Sequence, residues 1–246
     1  MKYVIIILCF LGLLTACSSE KQKSLTVNMK HGDVLLDCQS PWDNGNQSWA
    51  IDQIQLYMSH FEIMTESGQW QTIDLVDNDF QAKNVALVSL ICGQPNTNNL
   101  TLAFDSSIGS VEKVRFKFGV PFELNHVNPL GQPSPLNVPS MFWVWQTGHK
   151  FARVELNNKN GDWLFHLGST GCSSASALRA PVQQCRQPNL FTVELPVQNA
   201  QLNIDFEHWF NGVSFGDMPS CKSQPDNSTC QVILTNLLNS SVKQGQ

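Results

Sequence analysis

Charge is scarce in this sequence. Asp, Glu, Lys and Arg make up 14% of its 246 residues, and acidic residues outnumber basic ones by 20 to 15. A formal net charge of −5 leaves no basic face for a phosphate backbone, which excludes nucleic acid as a partner. The common catalytic signatures are missing too: there is no G-x-S-x-G, no H-E-x-x-H, no P-loop and no G-x-G-x-x-G. Asp162, Asp205 and Glu207 do not have the spacing of a glycosidase carboxylate pair. Gly168-Ser169-Thr170-Gly171 beside His166 has the look of a nucleophile turn, but no acid is positioned to help it. A tight turn leading into Cys172 is the simpler reading. These absences argue against an enzyme. No CxxC pair is present, which argues against structural zinc. No segment carries a long helical stripe; Val232 to Val242 is the best candidate for a short C-terminal helix. Tyr is rare at 2, whereas Trp (7) and Phe (14) are well supplied.

The N-terminus has an address. Lys2 precedes an almost unbroken apolar run from Val4 to Leu14, shorter than the ~18 residues of a membrane-spanning helix and suited to a signal-peptide core. Leu14-Thr15-Ala16-Cys17 then fits a lipobox, in which Cys17 is alkylated with diacylglycerol and becomes the new N-terminus. The alternative is an ordinary secretory signal with an incidental cysteine. The expected organisation is a lipoprotein signal peptide at 1–16, a lipidated tether at 17–24, and a single domain over 25–246. Ser18, rather than Asp, after the lipidated cysteine points to the outer membrane, facing the periplasm. The acyl chains provide the anchor, at roughly 0.8 kcal/mol per buried methylene.

Six further cysteines remain: Cys38, Cys92, Cys172, Cys185, Cys221 and Cys230. In an exported chain an even number reads as three disulfides. Proximity suggests Cys172–Cys185 and Cys221–Cys230, leaving Cys38–Cys92, although sequence alone does not fix the connectivity.

From Ser24 onward the pattern is β. Apolar and polar residues alternate over Leu25–Met29, Ile51–Met58 and, most strictly, Val111–Val120. Phe61–Met64 continues the second of these across a bulge or kink. Ser67-Gly68 turns the chain back into Trp70–Leu75. Val85–Leu90, Asn99–Phe104, a hairpin of Phe151–Leu156 with Asp162–Leu167, and Phe191–Leu195 with Ala200–Asp205 complete the set. Many short strands predict an all-β fold: a disulfide-stapled antiparallel sandwich or barrel with long loops and little helix. Pro121 to Met141, rich in Pro and Asn, reads as a long functional loop.

The block from Gly119 to Cys172 carries the chemistry. His126, His149 and His166, half of the six histidines, fall within it beside Trp143, Trp145 and Trp163, and Met141 adds a thioether. Imidazole and thioether together suit copper. Taken singly, each has a plainer reading: His126 as a turn hydrogen-bonder, His149 as a surface residue, His166 as a satisfied core histidine, Trp143 and Trp145 as core or as sugar-stacking platforms.

The block as a whole resembles the MbnP family, the four-Cys member of the metallo-mystery pair system. The resemblance is carried by Gly119–Phe122, Leu124–His126, Asn128-Pro129, Pro135–Asn137, Met141–Trp143, Trp145-Gln146, Gly148, Lys150-Phe151, Arg153, Trp163 and His166–Cys172. Weaker similarity runs from Leu25 into the Cys221–Cys230 tail. The sequence departs from the family at His149, where Tyr is expected, and at Asn128, where Asp is frequent. The resemblance implies a periplasm-facing copper-binding lipoprotein that is the substrate and partner of a di-haem cytochrome c peroxidase of the MauG type. The peroxidase would oxidise a tryptophan to kynurenine at the copper site, with Trp145, Trp143 and Trp163 as candidates in that order. Candidate ligands are His126, His166, His149, Met141 and, more remotely, His60. The competing class is an interaction or carbohydrate-binding sandwich that holds no metal.

Overall fold

The computed structural model describes residues 23–94, 98–104 and 110–241. The signal segment, Cys17 and Val242 lie outside the described residues. Among the described residues no helix is long and apolar enough to cross a membrane.

In chain order the strands are β1 (Lys23–His31), β2 (Val34–Leu35), β3 (Trp42–Asn44), β4 (Gln47–Thr65), β5 (Trp70–Thr72), β6 (Gln81–Ala82), β7 (Val85–Ile91), β8 (Thr101–Phe104), β9 (Val111–Phe118), β10 (Lys150–Asn158), β11 (Gly161–Gly168), β12 (Phe191–Gln198) and β13 (Gln201–Asp205). A one-turn helix α1 (Phe122–Asn125) opens the long loop, and α2 (Ser228–Ser240) follows the last strand. The Asn227 side chain caps α2 by accepting from Cys230 N at 3.0 Å.

The strands form one large mixed sheet that does not close, ordered β11-β10-β4-β9-β12-β13-β1-β2 along its main path. Neighbouring pairs are antiparallel except β1 with β13, which run parallel, the one departure from the expected antiparallel pattern on that path. β1 begins at Lys23, so Lys23 and Ser24, read from sequence as tether, pair with β8.

β4 is the spine. It is 19 residues long and pairs with β10 through Ala50–Leu56, with β7 through Gln53–Ser59 and with β9 through Met58–Thr65. Its pairing with β9 shifts register between Ser59 and Glu62, where the other edge passes from β7 to β5, and His60 there has φ 55. This is the bulge expected before Phe61. A non-glycine residue in the left-handed region at such a break re-aims the side chains that follow.

The core is aromatic. Trp42, Trp163, Phe206, Phe210 and Phe215 pack at centroid distances of 4.3–6.2 Å, mostly edge to face. The three disulfides are Cys38–Cys92, Cys172–Cys185 and Cys221–Cys230, the pairs that proximity suggested. Cys221 also pairs by backbone with β11: its N–H donates to Leu164 O, and its carbonyl accepts from His166 N, both at 2.8 Å.

Candidate metal centre

The loop from Val120 to His149 folds over one end of the β10–β11 hairpin. A turn from Trp143 to Gly148 is closed by Gly148 N–H to Val144 O at 2.7 Å and Trp143 N–H to Gly148 O at 3.0 Å. Gly148 has φ 78, and a Cβ there would collide with the backbone oxygen of Asn125. Only glycine lets this turn sit against α1.

Asn125, 1% exposed, organises the contact. Its Oδ1 accepts from His149 N–H at 2.7 Å. Its amide nitrogen donates to His126 Nε2 at 3.2 Å and to Ser169 Oγ at 3.4 Å. That fixes the His126 tautomer: Nε2 carries the lone pair, and Nδ1–H donates to Trp145 O at 3.1 Å. Burial pulls the His126 pKa below its ordinary value, so the ring is neutral.

His149, read from sequence as a surface or ligand histidine, is fully buried. Its Nδ1 lies 2.9 Å from Asn125 O and its Nε2 lies 3.0 Å from Leu136 O. Both nitrogens face carbonyls and neither is free for a metal. Met141 is likewise enclosed in the core. His60 sits at the β4 bulge, exposed, with Nδ1 3.1 Å from Ser59 Oγ.

His166 is different. The hairpin register puts it opposite Arg153. Its Nε2–H donates to Glu155 Oε1 at 2.7 Å, while Nδ1 is buried with no hydrogen-bond partner. Glu155 also accepts from Arg153 Nε at 2.6 Å, from Arg153 Nη2 at 3.0 Å and from Gln53 Nε2. Burial alone would raise the Glu155 pKa, but the His166 and Arg153 hydrogen bonds outweigh it and hold the carboxyl at about 2. Burial lowers the His166 pKa against the opposing pull of Glu155, so the ring is neutral with its lone pair on Nδ1. A carboxylate on the far nitrogen is the arrangement that orients metal-ligating histidines.

Trp143, half-buried, lies 6.5 Å from the His166 ring, centroid to centroid, and packs on Gly168. Trp145 is 39% exposed, and its chain neighbour Val144 is exposed as well. Trp163 is 1% exposed in the aromatic core. A Cβ at Gly168 would strike the Trp143 ring. Gly168→Ala is therefore expected to displace that ring and destabilise the fold by about 1–3 kcal/mol. Near-ultraviolet circular dichroism and a melting curve would read both effects.

Sequence reasoning did not single out Glu155, which reads as an outward charge on an alternating strand. Counting outward from the Asn158–Gly161 turn would have put Arg153 opposite His166 and Glu155 one diagonal step away. It also did not join His126 to Cys172 and Cys185. These are the one group of three candidate ligands, among the described residues, whose ligand atoms lie within 4.8 Å of one another.

Comparison with solved structures finds MbnP from Methylosinus trichosporium similar in fold, with a TM-score of 0.74 and 22% sequence identity, covering 87% of this chain and 86% of that one. Comparison with curated proteins finds no match. The MbnP family profile matches residues 20–223, more than four-fifths of the sequence. The glycine-dependent turn, the histidines it gathers and the match along the chain agree: this protein belongs to the MbnP family.

Proposed function

We propose that this protein is a copper-binding lipoprotein of the cell envelope. In this reading it is anchored through Cys17 in the outer membrane facing the periplasm, and it is the substrate, not the catalyst, of a MauG-type di-haem peroxidase. Its centre is His166 with an oxidised Trp143. The observation that carries this reading is the buried, unpartnered Nδ1 of a neutral His166 whose Nε2–H is held by Glu155. Such a nitrogen costs free energy unless something accepts its lone pair. A copper ion, as cargo, would accept it.

Trp143 is the indole whose ring lies 6.5 Å from the His166 ring, centroid to centroid. An indole N–H only donates hydrogen bonds. Opening the ring to kynurenine leaves an aromatic amine and a ketone, both lone-pair donors. The exposed Trp145 and Val144 would be open to a protein partner.

Treatment with the peroxidase and hydrogen peroxide, the oxidant, is expected to convert one tryptophan, with loss of the indole C2 as formate, and to confer copper binding. Trp143→Phe should lose both, Trp145→Phe should keep both, and His166→Ala should keep the modification but lose copper by more than about tenfold in affinity. Peptide mass mapping and copper titration read these outcomes, with a melting curve to verify the fold. Copper bound equally by wild type, Trp143→Phe and His166→Ala would remove this reading.

A further inference from the structure

The corner around His126 holds a second set of ligand atoms. Cys185 Sγ lies 3.7 Å from His126 Nε2, and the disulfide joins it to Cys172. A tetrahedral or trigonal centre with metal–sulfur bonds near 2.3 Å and metal–nitrogen bonds near 2.0 Å spaces N and S by about 3.5–3.7 Å. The nitrogen is thus already at ligand spacing from one sulfur, and its lone pair faces that way because Nδ1–H is committed to Trp145 O.

The two cysteines do not rely on their own bond to stay together. Thr170 and Gln187 exchange backbone hydrogen bonds at 2.9 and 3.0 Å, and Arg186 N–H donates to Gly171 O at 3.3 Å. Ser169 Oγ–H reaches Pro188 O at 3.0 Å. This short ladder clamps the base of the loop between Cys172 and Cys185. Cys172 is half-buried, open enough for a thiolate to reach, whereas Cys185 and His126 are each 5% exposed.

We propose that Cys172, Cys185 and His126 form a redox-gated metal site, closed while the disulfide is intact and opened to a soft cation with a filled d shell, copper(I) or zinc, when a dithiol reduces it. The chemistry balances. One thiolate of the dithiol attacks Cys172 Sγ and expels Cys185 as thiolate. The second thiol of the dithiol resolves the mixed disulfide, leaving with its own disulfide bond and freeing Cys172. The two electrons come from the dithiol, and metal binding releases the two cysteine protons. His126 adds its Nε2 lone pair without a proton change, replacing the Asn125 amide contact. Two thiolates and one imidazole are a soft, trigonal donor set, which favours copper(I). The site does not depend on copper at His166.

The test uses the whole protein, oxidised or reduced anaerobically with a mild dithiol that is then removed. Copper(I) and zinc are offered separately against a competing chelator, and thiols are mapped by alkylation and mass spectrometry. Reduction is expected to add one bound metal per chain, and the bound metal is expected to slow alkylation of the freed Cys172 and Cys185 by about tenfold or more relative to the reduced, metal-free protein. The gain should persist in Cys38→Ser/Cys92→Ser and in His166→Ala, and disappear in Cys172→Ser/Cys185→Ser. His126→Ala should weaken it by more than about tenfold. The comparison of oxidised with reduced wild type needs no variant to fold. No added metal on reduction, or a gain that follows Cys38 and Cys92 instead, overturns the proposal.

Discussion

Glu155→Ala is expected to destabilise the protein by about 2–3 kcal/mol and, under the proposed function, to weaken copper binding by about 10- to 100-fold. The carboxylate accepts from His166, twice from Arg153 and from Gln53. Its side chain is 15% exposed, Arg153 is 17% exposed and His166 7%. Removing it strands a guanidinium and an imidazole N–H where little water reaches. The penalty falls short of the full cost for a wholly buried pair because some solvent does. Glu155→Gln should retain the hydrogen bond to His166 and lose less copper affinity than Glu155→Ala.

The same residue sets an acid limb. Its folded pKa, about 2, lies below the ordinary 4.5. A depressed carboxylate stabilises the fold above its unfolded pKa, and that stability is lost as pH falls from about 4.5 towards 2. Urea midpoints across that window should fall with acidification in wild type and flatten in Glu155→Ala. Equal slopes would show that the carboxylate has no special native environment.

Trp163→Ala is expected to cost more, about 4 kcal/mol. Its ring packs on Phe215 at 4.3 Å and Phe210 at 5.6 Å, and both press on Trp42. Trp163→Phe should cost far less. Trp163 Nε1 has no hydrogen-bond partner, so that exchange also removes a buried orphan donor and offsets part of the lost contact. The pair of variants also bears on the copper centre. Under the proposed function Trp163→Phe keeps the peroxidase modification and copper stoichiometry, and loss of either would move the modified residue from Trp143 into the core.

The strands were legible because their signal is local. Val111 to Val120 alternates, and β9 covers Val111–Phe118 with its apolar residues inward. The hairpin around Asn157–Gly161 and the C-terminal helix were legible for the same reason. Proximity along the chain suggested the disulfide pairs that the structure forms, without fixing their connectivity. The parallel pairing of β1 with β13 was not legible, since Thr26 and Gln201 are partners from opposite ends of the domain's sequence. Nor was the role of His149, whose partners are two carbonyls brought in by the loop. Backbone oxygens are present at every residue and leave no trace in a sequence pattern. Of the site, the histidines and tryptophans were legible as a group. Which nitrogen is free, which is tied and which indole stands beside it were set by long-range register.

β11 ends the main path of the sheet, and an uncovered final strand is a template for another chain. The segment at Cys221 covers it, bonded to Leu164 and His166, and Cys221–Cys230 pins that segment to α2. Cys221 and Cys230 are both wholly buried, unlike Cys172. Two disulfides near one site thus face a reductant unequally. The one beside His126 can open early, while the one guarding the strand resists, so mild reduction exposes thiols without uncovering an edge that would recruit a second molecule. Harsher reduction would cross that boundary, and its mark would be self-association before any loss of strand content.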